Sequence, residues 1–430
     1  MLSAISRYGA RVLPNTEQII SHCRKRGEFI RGPQIEEFEV VFSRRLGGGR
    51  TISASYGRMA FYYVLKAMQL PPGAEIVFPA LTFWVVPELA RTAGLKPVFA
   101  DIDPNTFNLD AEALERVITP RTRAVVPTHL YGLPCDMDAI LSVAQRHNLK
   151  VIEDCAHSLG ATYRGRAVGT FGDAGFFSFQ TLKPLNTYGG GMAWVRDPDL
   201  AQRVADLAAA ETWPDEKRIQ NRLFTGKLQR IFTRPRVFTI SAFPILWTAS
   251  WFRGRPDVYL WESIRPLNPL PAPYTERYSN VQAALGLAGL AKMDEWTETT
   301  RSHARIMSAR LSDLSGVCIP KTPPDRTHVY YQYCVYVPDR DDLVRRCIRR
   351  GVDIETLHVD VCTRISLLGE DTPDNAHSIA SHADQAAMAV QLPVYAGLSD
   401  EQVERVAHRV RQVLIGSTRR TIPVPGVSNH

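Results

Sequence analysis

The chain has 430 residues, 22% of them charged and 45% hydrophobic, with a formal net charge of +7 at pH 7. A chain of that length and composition buries a large core, accommodates two domains and is neither disordered nor fibrous. The charge is local: nine basic residues and no acid lie between Lys217 and Arg255 (Lys217, Arg218, Arg222, Lys227, Arg230, Arg234, Arg236, Arg253 and Arg255), so the rest carries +7 − 9 = −2, and no nucleic-acid partner is expected.

The chain does not open on a basic start followed by an apolar stretch, so no cleaved signal peptide is expected. Its seven cysteines are scattered and never form a CxxC pair. They read as reduced thiols of a cytoplasmic protein, with no disulfide framework, and no HExxH-type spacing points to a metal. Gly47-Gly48-Gly49 lacks the Lys-Ser/Thr of a phosphate loop and reads as a flexible connection. Ser55-Tyr56-Gly57-Arg58 then opens a helix through Met68. Such an N-terminus offers free backbone N–H groups to an anion, and Gly57 allows close approach.

Short apolar runs follow at Glu75–Pro79, Pro97–Asp101, Ala124–Pro127, Val151–Asp154, Gly175–Phe179 and Gly191–Val195, with helical patterns at Ala111–Val117 and Met137–His147. Alternation of this kind predicts an α/β domain, a mostly parallel sheet between two helical layers. It extends over residues 1–310. A smaller α+β domain spans 311–415, with a strand at Tyr330–Val337 and helices at Asp341–Arg350 and Glu401–Ile415. The tail 416–430, rich in Pro, Ser, Thr and Arg, is expected to be mobile.

Two strand ends carry chemistry. Val151-Ile152-Glu153-Asp154 ends in a carboxylate, and Lys183 follows the run Gly175–Phe179. A lysine seated out of bulk water can lose its proton and attack a carbonyl. A buried aspartate can hold a pyridinium nitrogen protonated, and together they are the minimum equipment for pyridoxal phosphate chemistry. A solvated lysine and a helix-capping aspartate are the plain alternatives.

Asp154, His157, Ser178-Phe179, Lys183 and Gly190-Gly191, in that order, resemble the pattern of the DegT/DnrJ/StrS nucleotide-sugar aminotransferases. The likeness covers most of the chain, from Gly27–Pro33 through Pro79–Phe83, Thr128–Gly132 and Gln282–Ala284 to Leu392–Tyr395. It implies a homodimer of pyridoxal phosphate fold type I that aminates a keto-sugar nucleotide, a 4-keto-6-deoxy sugar, with glutamate as donor. Lys183 is then the catalytic Schiff-base lysine, and Asp154 bonds the ring nitrogen. His157 lies near the phenolic oxygen and Phe83 stacks on the ring, with Trp84 the alternative one residue on. Gly57, Ser178 and Arg58 surround the phosphate. Lysine where fold relatives that dehydrate carry histidine favours transamination.

Two stretches depart from the pattern. Tyr188-Gly189-Gly190-Gly191 stands where Gly-Glu-Gly-Gly is usual, and Thr275-Glu276-Arg277 replaces the Asn-x-Arg that reaches across the dimer. Arg277 remains able to bind a donor carboxylate in bidentate fashion. The residues also allow an aminotransferase of a lipid-linked or non-sugar ketone, a lyase, or a non-catalytic regulator.

The chain is longer than the pattern between Trp213 and Pro273. Ile219, Leu223, Phe224, Leu228, Ile231 and Phe232 recur at helical spacing among basic residues, and Val237–Phe252 is nearly all apolar. Sixteen residues interrupted by Pro244 fall short of the ~20 that span a bilayer. A peripheral contact of 217–255 with an anionic membrane, at the inner face, is one reading; a dimer contact or an active-site lid is the other.

Overall fold

The computed structural model describes residues 3–11, 13–252, 263–337, 339–356, 359–369 and 380–417. Its centre is a seven-stranded sheet in the order Arg50–Ala54, Gly191–Val195, Ala174–Ser178, Lys150–Asp154, Thr122–Val125, Glu75–Pro79 and Lys96–Ala100. The first three strands pair antiparallel and all other neighbours pair parallel.

Alternation along each strand feeds two different cores. Ile76, Phe78, Ala124 and Ile152 pack on one face with the helices Gly57–Met68 and Val85–Thr92. Val77, Val125 and Val151 pack on the other with Ala111–Val117 and Met137–Arg146. Because both faces are covered, the inner strands are almost uniformly apolar. In such sheets ligands bind beyond the carboxyl ends of the strands; Asp154 and Ser178 each end a strand.

Three expectations change. Residues 1–310 do not form one unit: Ala4 and Ile5 pack in the core of the C-terminal domain, where Ile5 bridges Val352. Backbone hydrogen bonds from Ile5 to Gly351 (3.0 Å) and from Asp353 to Ile5 (2.9 Å) tie that segment down. Next, the strand expected over Tyr330–Val337 is confined to Tyr333–Val335, because Tyr330 has a φ of +47°, which extended chain does not adopt. Finally, the glycine run 47–49 turns directly into the outermost strand, Arg50–Ala54. The last helix, Asp400–Ser417, runs into the expected tail, whose remainder, like Arg253 and Arg255, lies outside the described residues.

Candidate active site

A cavity of about 300 Å³ opens at the carboxyl ends of the strands, and Gly57, Arg58, Phe83, Asp154, Ser178 and Lys183 all line it. His157, Trp84, Tyr331, Asp360 and Gln229 are also part of its wall.

Asp154 is fixed through its backbone, donating to Pro127 O (2.9 Å) and accepting from His129 N (3.0 Å). Its side chain is 4% exposed, and Oδ1 accepts from Ala156 N at 3.0 Å. Burial pushes its pKa up to about 6, against the downward pull of that hydrogen bond, of Lys183 and of His129. Lys183 follows a turn closed by its N–H to Gln180 O (2.9 Å). Burial lowers its amine to about 8; Asp154 acts upward and Arg58 further downward. The two groups are therefore carried toward the neutral range from opposite sides, as acid–base sites require.

Beneath Asp154, the Glu153 carboxylate accepts from the backbone N–H groups of Gly169 (2.7 Å), Phe171 (2.6 Å) and Gly172 (2.8 Å) and from His129 Nε2 (3.0 Å). Cys135 N donates to His129 Nδ1 at 3.0 Å, which leaves the proton on Nε2. The ligand atoms of His129, Glu153 and Cys155 lie within 4.8 Å of one another. With Glu153 already taken up by four donors, this cluster serves as a brace under the strand end rather than as a cation site.

The opposite end of the cavity is built from close backbone contact. A Cβ on Gly57 would meet Phe177 O at 2.7 Å, and one on Gly191 would meet Gly57 N and Cα at 2.3 Å. The N-terminus of the helix Gly57–Met68 thereby sits directly against the two strand ends, and no side chain caps it. Its dipole and first-turn N–H groups face a site that also holds Ser178 and Arg58. The Arg58 guanidinium bonds the Tyr274 hydroxyl and lies 5.4 Å from the Phe83 ring centre. Phe83 is half-buried, whereas Trp84 is 1% exposed and belongs mostly to the core.

Pyridoxal phosphate fits these residues. The glycine cradle, helix N-terminus, hydroxyl and guanidinium suit a phosphate. The buried carboxylate and depressed lysine suit the pyridine nitrogen and the aldehyde. His157 stacks on Tyr331, ring centres 4.2 Å apart, and the Lys183 Nζ lies 4.8 Å over the other ring of that pair, Tyr331.

Thr275 and Arg277 are not brought into this cavity. The Thr275 hydroxyl donates to Ala272 O (3.2 Å), and the Arg277 guanidinium stacks 4.0 Å over Trp213. Tyr331, Asp360, Tyr274 and Gln229 are contributors that sequence reasoning missed. Asp360 arrives through the pairing of Asp360–Val361 with Leu81–Thr82, and its carboxylate accepts from Trp84 N at 3.3 Å. No local pattern marks that pairing.

A family model described as the DegT/DnrJ/EryC1/StrS aminotransferase family matches residues 14–232 and 257–411. The chain belongs to that family. It is a pyridoxal-phosphate-dependent aminotransferase. GDP-perosamine synthase of Caulobacter vibrioides is 32% identical over 390 residues, 89% of this chain and 91% of that one. The dTDP-3-amino-3,4,6-trideoxy-alpha-D-glucose transaminase of Streptomyces venezuelae is 28% identical over 92% of this chain and 91% of its own. Among solved structures, the aminotransferase TlmJ from Streptoalloteichus hindustanus superposes with a TM-score of 0.77 at 27% identity, covering 96% of this chain and 100% of that one. The interruption of the family match at 233–256 is narrower than the extra segment 213–273 expected from sequence.

Proposed function

We propose that this aminotransferase moves the amino group of glutamate onto a nucleotide-linked 4-keto-6-deoxy sugar, yielding an amino-sugar for a polysaccharide or glycan. The observation that carries the reading is the placing of Asp154 and Lys183 in one cavity with an uncapped helix N-terminus. Relatives named for GDP- and dTDP-linked sugars, aligned over about nine-tenths of the chain, support the acceptor class.

The cofactor supplies an electron sink for negative charge developing on the substrate carbon. Asp154 holds the ring nitrogen and keeps its proton in place. Gly57, Ser178 and Arg58 hold the phosphate, and Phe83 and His157 flank the ring. Lys183 would hold the aldehyde end of the cofactor, and its Nζ, buried in the same cavity as Asp154, would be the group that takes the proton from the substrate carbon and later returns one. Burial lowers that amine to about 8, which gives it a larger neutral fraction near pH 7 than an ordinary lysine has.

A homodimer in the cytoplasm completes the reading. Arg277 and Thr275 lie outside the cavity of their own chain, where they are able to serve the cavity of a partner subunit. The exposed stripe Phe224, Leu228 and Phe232, at 60%, 36% and 48% exposure, lies within the family-matched region and is an apolar face for that partner to cover.

The test is a panel of keto-sugar nucleotides and lipid-linked keto-sugars incubated with glutamate, with release of 2-oxoglutarate followed. Turnover of a sugar nucleotide, abolished by Lys183→Ala, is expected. Turnover confined to lipid-linked acceptors would replace the nucleotide-sugar reading.

A further inference from the structure

The helices Pro235–Ile240 and Ala242–Phe252 stand where the family match stops, between residues 232 and 257. They lie outside the part of the chain that the family shares. Their inner side is firmly seated. Phe238 and Leu246, 3% and 5% exposed, join the C-terminal core with Leu343, Val344, Cys347 and Ile348. Arg349 lies 3.8 Å over the Trp251 ring and donates to Ser250 O at 2.7 Å.

The outer side is apolar as well. Ile240, Ile245 and Phe252 are 78%, 72% and 85% exposed, and Trp247 and Trp251 are 42% and 54% exposed. Five of the twelve exposed large hydrophobic side chains among the described residues thus fall within 235–252. Ile245 and Phe252, about two helical turns apart, define a face that the seated face does not use. Water alone is a poor neighbour for such a patch, and patches of this kind mark interaction surfaces.

Charge selects the occupant. Arg234 and Arg236, both exposed, lie at the start of this segment, and no ion pair to either is found among the described residues. No acid occurs from Lys217 to Phe252. A two-fold contact of this face with itself would bring Arg234 and Arg236 toward their own copies. An anionic surface with an apolar interior answers both features. The tryptophan pair, ring centres 5.8 Å apart, is of the type that settles at a membrane–water boundary. The eleven-residue helix is only about 16 Å long against a hydrocarbon core of about 30 Å, and no described helix is long and apolar enough to cross.

We propose that residues 235–252 dock this enzyme onto an anionic lipid surface, with Ile245, Phe252 and the tryptophans entering the interface and Arg234 and Arg236 meeting lipid phosphates. This stands apart from the sugar-nucleotide reading and fails or survives independently of it. The test uses the full-length holoenzyme with sucrose-loaded vesicles of phosphatidylcholine alone or mixed three to one with phosphatidylglycerol. Co-sedimentation with the mixed vesicles is expected, with only partial release by high salt and a blue shift of tryptophan emission. Arg234→Gln with Arg236→Gln should weaken binding roughly 25-fold, about 5-fold for each arginine near the surface. Ile240→Ser, Ile245→Ser and Phe252→Ser together should weaken it at least about tenfold while leaving thermal unfolding unchanged, since none of the three is a core residue. The proposal is overturned if the protein stays in the supernatant with both vesicles at low salt, or if the triple variant binds as the parent does. It is equally overturned if the triple variant abolishes concentration-dependent self-association of a protein that ignores vesicles.

Discussion

Gly191→Ala isolates the cradle at the phosphate end of the cavity. Gly191 is not in the left-handed region, so alanine strains no backbone torsion there; the effect is steric. The added methyl would meet Gly57 N and Cα at 2.3 Å and Phe177 O at 2.6 Å. All three are backbone atoms, which no rotamer change can move aside. Restoring an ordinary contact of about 3.5 Å requires the helix start to retreat by about 1 Å. An N–H···O bond of about 2.9 Å stretched by that amount is no longer a hydrogen bond. Loss of one such bond to a charged group is worth about 1.5–3 kcal/mol, or roughly 10- to 150-fold in affinity. Overpacking adds about 1–3 kcal/mol of lost stability. The assay is titration of the apoenzyme with pyridoxal phosphate, followed by absorbance, beside urea denaturation. Gly397→Ala is the control, because its methyl would only touch the Tyr395 ring at 3.5 Å. A Gly191→Ala protein that binds cofactor as tightly as the parent would refute the placing of the phosphate at this helix.

Borohydride reduction of the holoenzyme should fix the cofactor to Lys183 alone, as read by peptide mass mapping; label on another lysine removes its role. Asp154→Asn should retain cofactor but lose about three orders of magnitude or more in transamination rate, because a neutral amide does not hold the ring protonated; near-normal turnover would mean another carboxylate lies under the ring. The apoenzyme should capture pyridoxal phosphate faster as pH rises through about 8, where the Lys183 amine becomes neutral. The carboxylate of Asp154 raises that lysine and Arg58 lowers it, so the midpoint should move down in Asp154→Asn and up in Arg58→Gln; stopped-flow traces with an unchanged midpoint in both would show that neither group faces the amine.

What could be read from the sequence was what lies close together along it. Asp154 and Ser178 each end a local apolar run, Lys183 follows five residues on in a turn, and Gly57 opens a helix; these local features marked candidates, and the order of the residues, through its resemblance to the family pattern, gave them their roles. Tyr331 and Asp360 enter the same cavity from the C-terminal domain, through a backbone kink at Tyr330 and a two-residue pairing with Leu81–Thr82. Neither feature has a period, and both are set by packing between distant segments. Ala4 and Ile5 were assigned to the wrong domain for the same reason: two apolar residues are too few to announce a partner, and the backbone of Gly351–Asp353 and the Thr239 hydroxyl, far away in sequence, supply it. The inserted segment shows the limit most directly. Val237–Phe252 reads as apolar throughout, which fits a core helix and a membrane surface equally well. The fold separates the two, turning Leu246 inward against Arg340–Arg349 and Ile245, its neighbour in sequence, outward to solvent. A cluster of hydrophobic side chains that remains outside, on an element already seated by its other face, is not explained by that seating and marks a surface for a second contact.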